Sequence, residues 1–327
     1  MAEPFDAVLM VAFGGPTKPE EIRPFLANVL RGLPVPPGRL EEVAHHYEAI
    51  GGISPINELT FRQATGLARL LEIEGPKLPV YVGMRHWHPL ASEAVGQMMQ
   101  DGVRRAVGLV MAAHDSGPAS WGKYVKAVSD ALEAAGPGAP RVEYIQACYD
   151  HPDFIAAMAE QVRMQLDAIP PNRRGDTALI YTAHSIPTRM AAASPYVQQL
   201  QESCQLVAKA LGHTRWSLAY QSRSGDPREP WHTPDVSDVL HKLSSEGCRS
   251  VVLAPIGFVC DHAEVLFDLD VELRAEAEEL GIELRRASTV NDHPLFIRAL
   301  ADLVRRRVRE SGASIVAATI DASRESD

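Results

Sequence analysis

The sequence predicts an α/β fold of two similar halves, each a four-stranded parallel sheet flanked by helices. Three observations predict it: eight short Val-, Leu- and Ile-rich runs separated by helix-like stretches, the near-continuous apolar character of those runs, and a repeated hexapeptide. Continuous apolar runs suit strands buried on both faces, as in a parallel sheet covered by helices. At 327 residues the chain also exceeds what one core, which stops growing near ~250–300 residues, accommodates, so two units are expected.

The runs are residues 7–13, 80–84, 106–113 and 142–147 in the first half and 178–183, 217–221, 250–255 and 282–286 in the second. Between them, residues 20–30, 40–49, 58–71 and 93–99 place apolar side chains at helical spacing. DHPDFI at 150–155 returns as DHPLFI at 292–297, each time after the fourth run of its half. Asp-His-Pro supplies a turn and then a helix start, over 154–164 and 296–308. DAIPPNRRGD at 167–176, with two prolines and a glycine among polar residues, is the expected linker between an N-terminal half (1–166) and a C-terminal half (177–327) that ends in a helix.

Charge narrows the function. Lys and Arg number 32 against 42 Asp and Glu, a net charge of −10, which argues against a nucleic-acid partner that would need a basic face. The apolar run at 7–13 follows Glu3 and Asp6, where a secretory leader would be basic, so no leader is expected. No run approaches the ~18–20 apolar residues of a transmembrane helix. The four cysteines form no CxxC pair, and free thiols in a reducing cytoplasm are expected.

Ligands of open α/β sheets bind at the carboxyl ends of the strands, and histidine clusters there. His184 directly follows the run at 178–183, where an imidazole either takes a proton or a metal, or is satisfied by a neighbouring carbonyl. Glu264 lies beyond the third run of the same half and opens EVLFDLDVELRAE. Glu264, Asp268 and Glu272 recur at i, i+4 and i+8, on one helix face. A solvated acidic face explains such a row. With His184 on a neighbouring strand end, it also forms a nitrogen–oxygen site for a borderline metal such as ferrous iron. Arg85-His86-Trp87-His88 offers two imidazoles that share a face on an extended segment, but no third ligand, so loop or substrate contacts are expected rather than zinc. Gly14-Gly15-Pro16 lacks the spacing of a nucleotide loop and reads as a tight turn; the glycines of Gly51-Gly52-Ile53-Ser54-Pro55 would let backbone approach a ligand. Cys260 reads as a buried small hydrophobe.

VAFGGP at 11–16, GGISP at 51–55, TAHSIP at 182–187, YQSR at 220–223, Pro230-Trp231 and PIGFVCDHAEVL at 255–266 resemble the ferrochelatase family, in order and through nearly the whole chain. The short form with GGISP is most similar to the soluble coproporphyrin III ferrochelatases. The resemblance implies two Rossmann-like, chelatase-type halves around a cleft in which ferrous iron enters a porphyrin. It implies that His184 and Glu264 are the catalytic, metal- and proton-handling pair, with Asp268 and Glu272 lining an acidic path behind them. Tyr47, Ser54 and Tyr124 would lie near the substrate propionates, with Arg31 and His46 beside them. Phe13, Ile53 and Trp231 would contact the macrocycle. Iron is a substrate here. No organic cofactor and, with no cysteine cluster near the C-terminus, no iron–sulfur cluster is expected, and a monomer is expected.

The physical logic of insertion agrees. A planar porphyrin hides its nitrogen lone pairs in the ring plane, so the ring must be bent at the expense of binding energy elsewhere. Two pyrrole protons must leave, which calls for a base on one face. The chain departs from the soluble type at three positions: Phe13 stands where a tyrosine is usual, and Leu30 and His46 where arginines are usual. Losing two guanidiniums weakens bidentate propionate recognition, which leaves protoporphyrin IX as the alternative substrate. In another class, a non-catalytic tetrapyrrole or metal carrier is the alternative function.

Overall fold

The computed structural model describes residues 3–32, 36–118, 120–224 and 228–324. All eight predicted runs form strands. β1 (Ala7–Ala12), β2 (Val80–Met84), β3 (Arg105–Val110) and β4 (Arg141–Tyr144) make one sheet in the order β2-β1-β3-β4. β5 (Ala178–His184), β6 (Trp216–Gln221), β7 (Ser250–Ala254) and β8 (Glu283–Arg286) make a second in the order β6-β5-β7-β8. Every pairing is parallel, with Val8 opposite Val80 and Val107 in the first sheet and Leu179 opposite Trp216 and Val252 in the second.

The continuous apolar pattern belongs to the inner strands: every residue of β1 and β7 is buried. The edge strands β4 and β8 are partly exposed and carry Arg141, Glu143, Glu283, Arg285 and Arg286. Charge at an edge also discourages a further strand from pairing there. β3 stops three residues before the expected end, because its partner β1 ends at Ala12 and Ala112 turns back to bond the Val110 carbonyl.

The helices follow their expected positions, and the last helix of each half packs on the other half. Pro152–Asp167, which closes the first half in sequence, packs on the helix Tyr196–Leu211 and on β7 of the second. Pro294–Arg324, which closes the second half, packs on Ile56–Glu74 of the first. The two halves therefore exchange their last helices. The division at 167–176, which contains a helical turn at Pro171–Arg174, is one of chain order and not of packing.

The repeated hexapeptide sits where the exchanged helices cross. The Nδ1 atoms of His151 and His293 accept from the backbone N–H groups of Asp153 (3.2 Å) and Leu295 (3.3 Å), so each ring caps its own helix. Each Nε2 then reaches an acid on the other helix: His151 to Asp302 at 3.2 Å, His293 to Glu160 at 3.1 Å. Farther along, Glu143 lies between Arg105 (2.9 Å) and Arg307 and ties the C-terminal helix to the first sheet. One core runs through both halves, with Met10, Leu67, Phe154, Tyr181 and Phe296 all buried in it. Among the described residues no helix is long and apolar enough to cross a membrane, and all four cysteines are free and buried.

Candidate active site

The carboxyl ends of the strands open on a cleft of about 1020 Å³. Phe13, Tyr47, Ser54 and Tyr124 line it from the first half, and His184, Trp231, His262 and Glu264 from the second. Gly257 fixes the second wall. Its N–H donates to the Thr182 carbonyl at 3.0 Å, and a Cβ there would fall 2.6 Å from that of Ala183. Only glycine lets the chain leaving β7 lie this close to the end of β5, beside His184.

His184 meets a neighbouring carbonyl and also faces the cleft. Nδ1 contacts the Ser185 carbonyl, which can only accept, so Nδ1 carries a proton. Nε2 is left for the cleft, 3.7 Å from Glu264 Oε2. The Trp231 ring centre lies 6.5 Å from that of His184, and the Tyr196 hydroxyl donates to the His184 carbonyl at 3.1 Å. His262 completes the group, with Nε2 3.5 Å from Glu264 Oε2. Burial alone would raise the Glu264 carboxyl, but the charges of His184 and His262 and the hydrogen bond from His262 outweigh it and hold Glu264 at about 2. Burial likewise lowers His262, and the bond to Glu264 reverses that, so its net shift is upward. Glu264 is about half-exposed, and it lines the cleft.

The acidic row runs along an unusual backbone. A short α-turn at Ala263–Val265 leads into a π-helix at Leu266–Glu272 and then α-helix at Leu273–Glu279. Such wide turns recur at functional sites. Asp268 and Glu272 stand behind the cleft wall rather than in its lining. YQSR holds the row in place: Ser222 donates to Asp268, while Gln221 Nε2 lies 3.4 Å from both Asp268 Oδ2 and the Glu264 carbonyl. Burial first, opposed by Ser222 and reinforced by Glu264, pushes Asp268 up to about 6. Among the described residues no three His, Cys, Asp or Glu side chains converge to hold a metal ion, so the row is a line of carboxylates and not a closed chelate.

A family model described as Ferrochelatase matches residues 5–308. The chain belongs to the ferrochelatase family. It is 42 % identical over 321 residues to a coproporphyrin III ferrochelatase of Mycobacteroides abscessus, covering 95 % of this chain and 93 % of that one. It is 44 % identical over 306 residues to one of Mycobacterium bovis BCG, with 92 % and 85 % covered. A protein named simply ferrochelatase, from Rhodopirellula baltica, is 42 % identical over 308 residues, with 93 % and 87 % covered. In fold, the chain is similar to the chelatase SirB of Bacillus subtilis solved with Fe3+ (TM-score 0.58, 13 % identity, 94 % and 98 % covered).

Within this ferrochelatase framework, several expected contacts fall elsewhere. His46 stacks on Phe267 with ring centres 3.9 Å apart and planes 8° apart; it packs against the π-helix, outside the cleft lining. Arg31 donates to Asn28 at 2.6 Å and is exposed. Ile53 is 48 % exposed and also outside the lining. Gly52 has φ +79°, but a Cβ there would meet Pro19 at 2.9 Å, so its close approach is to the protein and not to a ligand. His86 and His88 do not share a face: His86 is buried against Phe13, while His88 is exposed and bonds Glu93 at 2.8 Å. Cys260 does touch the cleft, but burial pushes its thiol up to about 12, which keeps it inert.

Among the cleft-lining residues not read as site residues are His262, Arg85 and Lys123. His262 had a signal, its i, i+2 spacing to Glu264. Arg85 had one too, its place just after β2. Lys123, on the helix Trp121–Ala135, had none, because a helical lysine reads as a solvated face.

Proposed function

We propose that this chain inserts ferrous iron into a porphyrin, with coproporphyrin III as its substrate. The observation that carries this is the His184–Glu264 pair, 3.7 Å apart on one wall of a cleft whose lining includes Phe13, Tyr47, Tyr124 and Trp231. A flat, apolar macrocycle fits between such aromatic walls. His184 Nε2 accepts a pyrrole proton, and the ionised Glu264 stabilises the imidazolium and, with His262, leads the proton away. Asp268 and Glu272 form a carboxylate line by which iron approaches from behind that wall. Open, weak ligation suits a metal that must be handed on to four nitrogens. The names of the relatives at 42–44 % identity support coproporphyrin III as the ring. The reading includes a cytoplasmic monomer that needs neither an organic cofactor nor an iron–sulfur cluster.

An anaerobic assay with ferrous iron and either coproporphyrin III or protoporphyrin IX tests this. Metallation of coproporphyrin III at the higher kcat/KM is expected. Tight binding of both rings with metallation of neither would make the protein a carrier and overturn the reading.

A further inference from the structure

We propose that Arg85 and Lys123 form a carboxylate-binding corner of the cleft and that Lys123 helps set how tightly a charged porphyrin is held. The inference rests on the porphyrin reading above and assigns to these two residues a task that the resemblance gave to others.

Both side chains line the cleft. Arg85 is fixed where β2 ends, its N–H bonded to the Ala12 carbonyl at 2.9 Å, next to Phe13. Its guanidinium carbon stands 5.9 Å from the centre of the Tyr124 ring. Lys123 lies in the first turn of Trp121–Ala135, where the positive end of the helix adds to its charge. Among the described residues neither cation has a carboxylate partner, whereas Arg189 in the same cleft pairs with Glu229 at 2.7 Å. Burial and the Arg85 charge both lower the Lys123 amine. Two cations lining one cleft without a carboxylate partner among the described residues, in a chain of net charge −10, are a cost that a ligand anion would remove. Tyr124, pushed up to about 12 by burial, stays protonated and adds a hydroxyl donor. The positions to which the resemblance gave this task have little to offer: Leu30 is apolar, Arg31 is engaged by Asn28, and His46 is stacked on Phe267.

The test is equilibrium binding, followed by porphyrin fluorescence, of coproporphyrin III and of its tetraamide, which keeps the ring and removes the charge. Full-length wild type, Lys123→Gln, Lys123→Arg and Arg85→Gln are compared at low and high salt, with thermal melts to check folding. Lys123→Gln should weaken coproporphyrin III about tenfold at low salt, as expected for one charge-assisted hydrogen bond. It should leave the tetraamide within about twofold, and Lys123→Arg should restore most of the loss. Arg85→Gln should act in the same direction. Equal losses for the acid and the tetraamide, or no loss in Lys123→Gln, would overturn the inference while leaving the porphyrin reading intact. A wild-type chain that binds no coproporphyrin III would overturn that reading itself.

Discussion

The two sheets share one strand order, yet they bring different chemistry to the cleft between them. The second half contributes His184, His262 and Glu264, with Asp268 held behind them by Gln221 and Ser222. The first half contributes Phe13, Tyr47 and Tyr124 together with the cations Arg85 and Lys123. Under the proposed function, one row of strand ends handles protons and metal while the other, together with Trp231 of the second half, grips the ring. A repeated fold gives two equivalent sets of strand ends, and divergence at those ends alone is enough to divide the work.

The largest effect that would sharpen this division is expected at Glu264. With porphyrin already bound, Glu264→Gln should slow iron insertion by about 10²–10⁴-fold, the usual range for a group that moves protons. Porphyrin affinity, read by fluorescence titration, should change less than about threefold. A parallel loss of affinity would mean that Glu264 also holds the ring.

A structural effect comes next, because the division depends on the halves staying docked. Glu143 lies between the buried Arg105 and Arg307, so Glu143→Gln leaves a buried cation without its counter-charge. Urea denaturation should show a loss of about 3 kcal/mol. An unchanged midpoint would mean that Glu143 does not hold the exchanged C-terminal helix.

A smaller effect is expected at Asp268. Asp268→Asn should lower the insertion rate several-fold at limiting iron and little at saturating iron. Stability provides a second readout. Burial raises Asp268 from 3.8 to about 6. A raised carboxyl holds its proton more tightly in the folded state, so its contribution is fully present below about pH 4 and is lost as pH rises through 6. The Tm of Asp268→Asn should therefore exceed that of wild type above pH 6 and converge with it below pH 4. A constant offset at all pH values would contradict the raised ionisation.

Much of this fold was legible in the sequence because a strand buried on both faces has to be continuously apolar. That constraint marks the runs at 7–13 and 250–255, each of which forms a strand one residue shorter. The His184–Glu264 pair was legible for a related reason, since parallel sheets gather their chemistry at carboxyl ends. Helix exchange was not legible: periodicity shows that 152–167 has an apolar face but not which sheet that face will cover. The π-helix was hidden because Glu264, Asp268 and Glu272 fit an α-helical row equally well. The place of His46 was not legible either, because the stacking of its flat ring on Phe267 joins residues far apart in sequence.

The most direct measurement is single-turnover insertion of ferrous iron, under anaerobic conditions, into porphyrin already saturating the protein. Wild type, His184→Ala and Tyr124→Phe are compared. If the second half carries the chemistry, His184→Ala should lose at least about 10²-fold in rate with the ring still bound, while Tyr124→Phe keeps its rate within about threefold. Undiminished insertion by His184→Ala, or equal losses in both variants, would contradict the division between the halves.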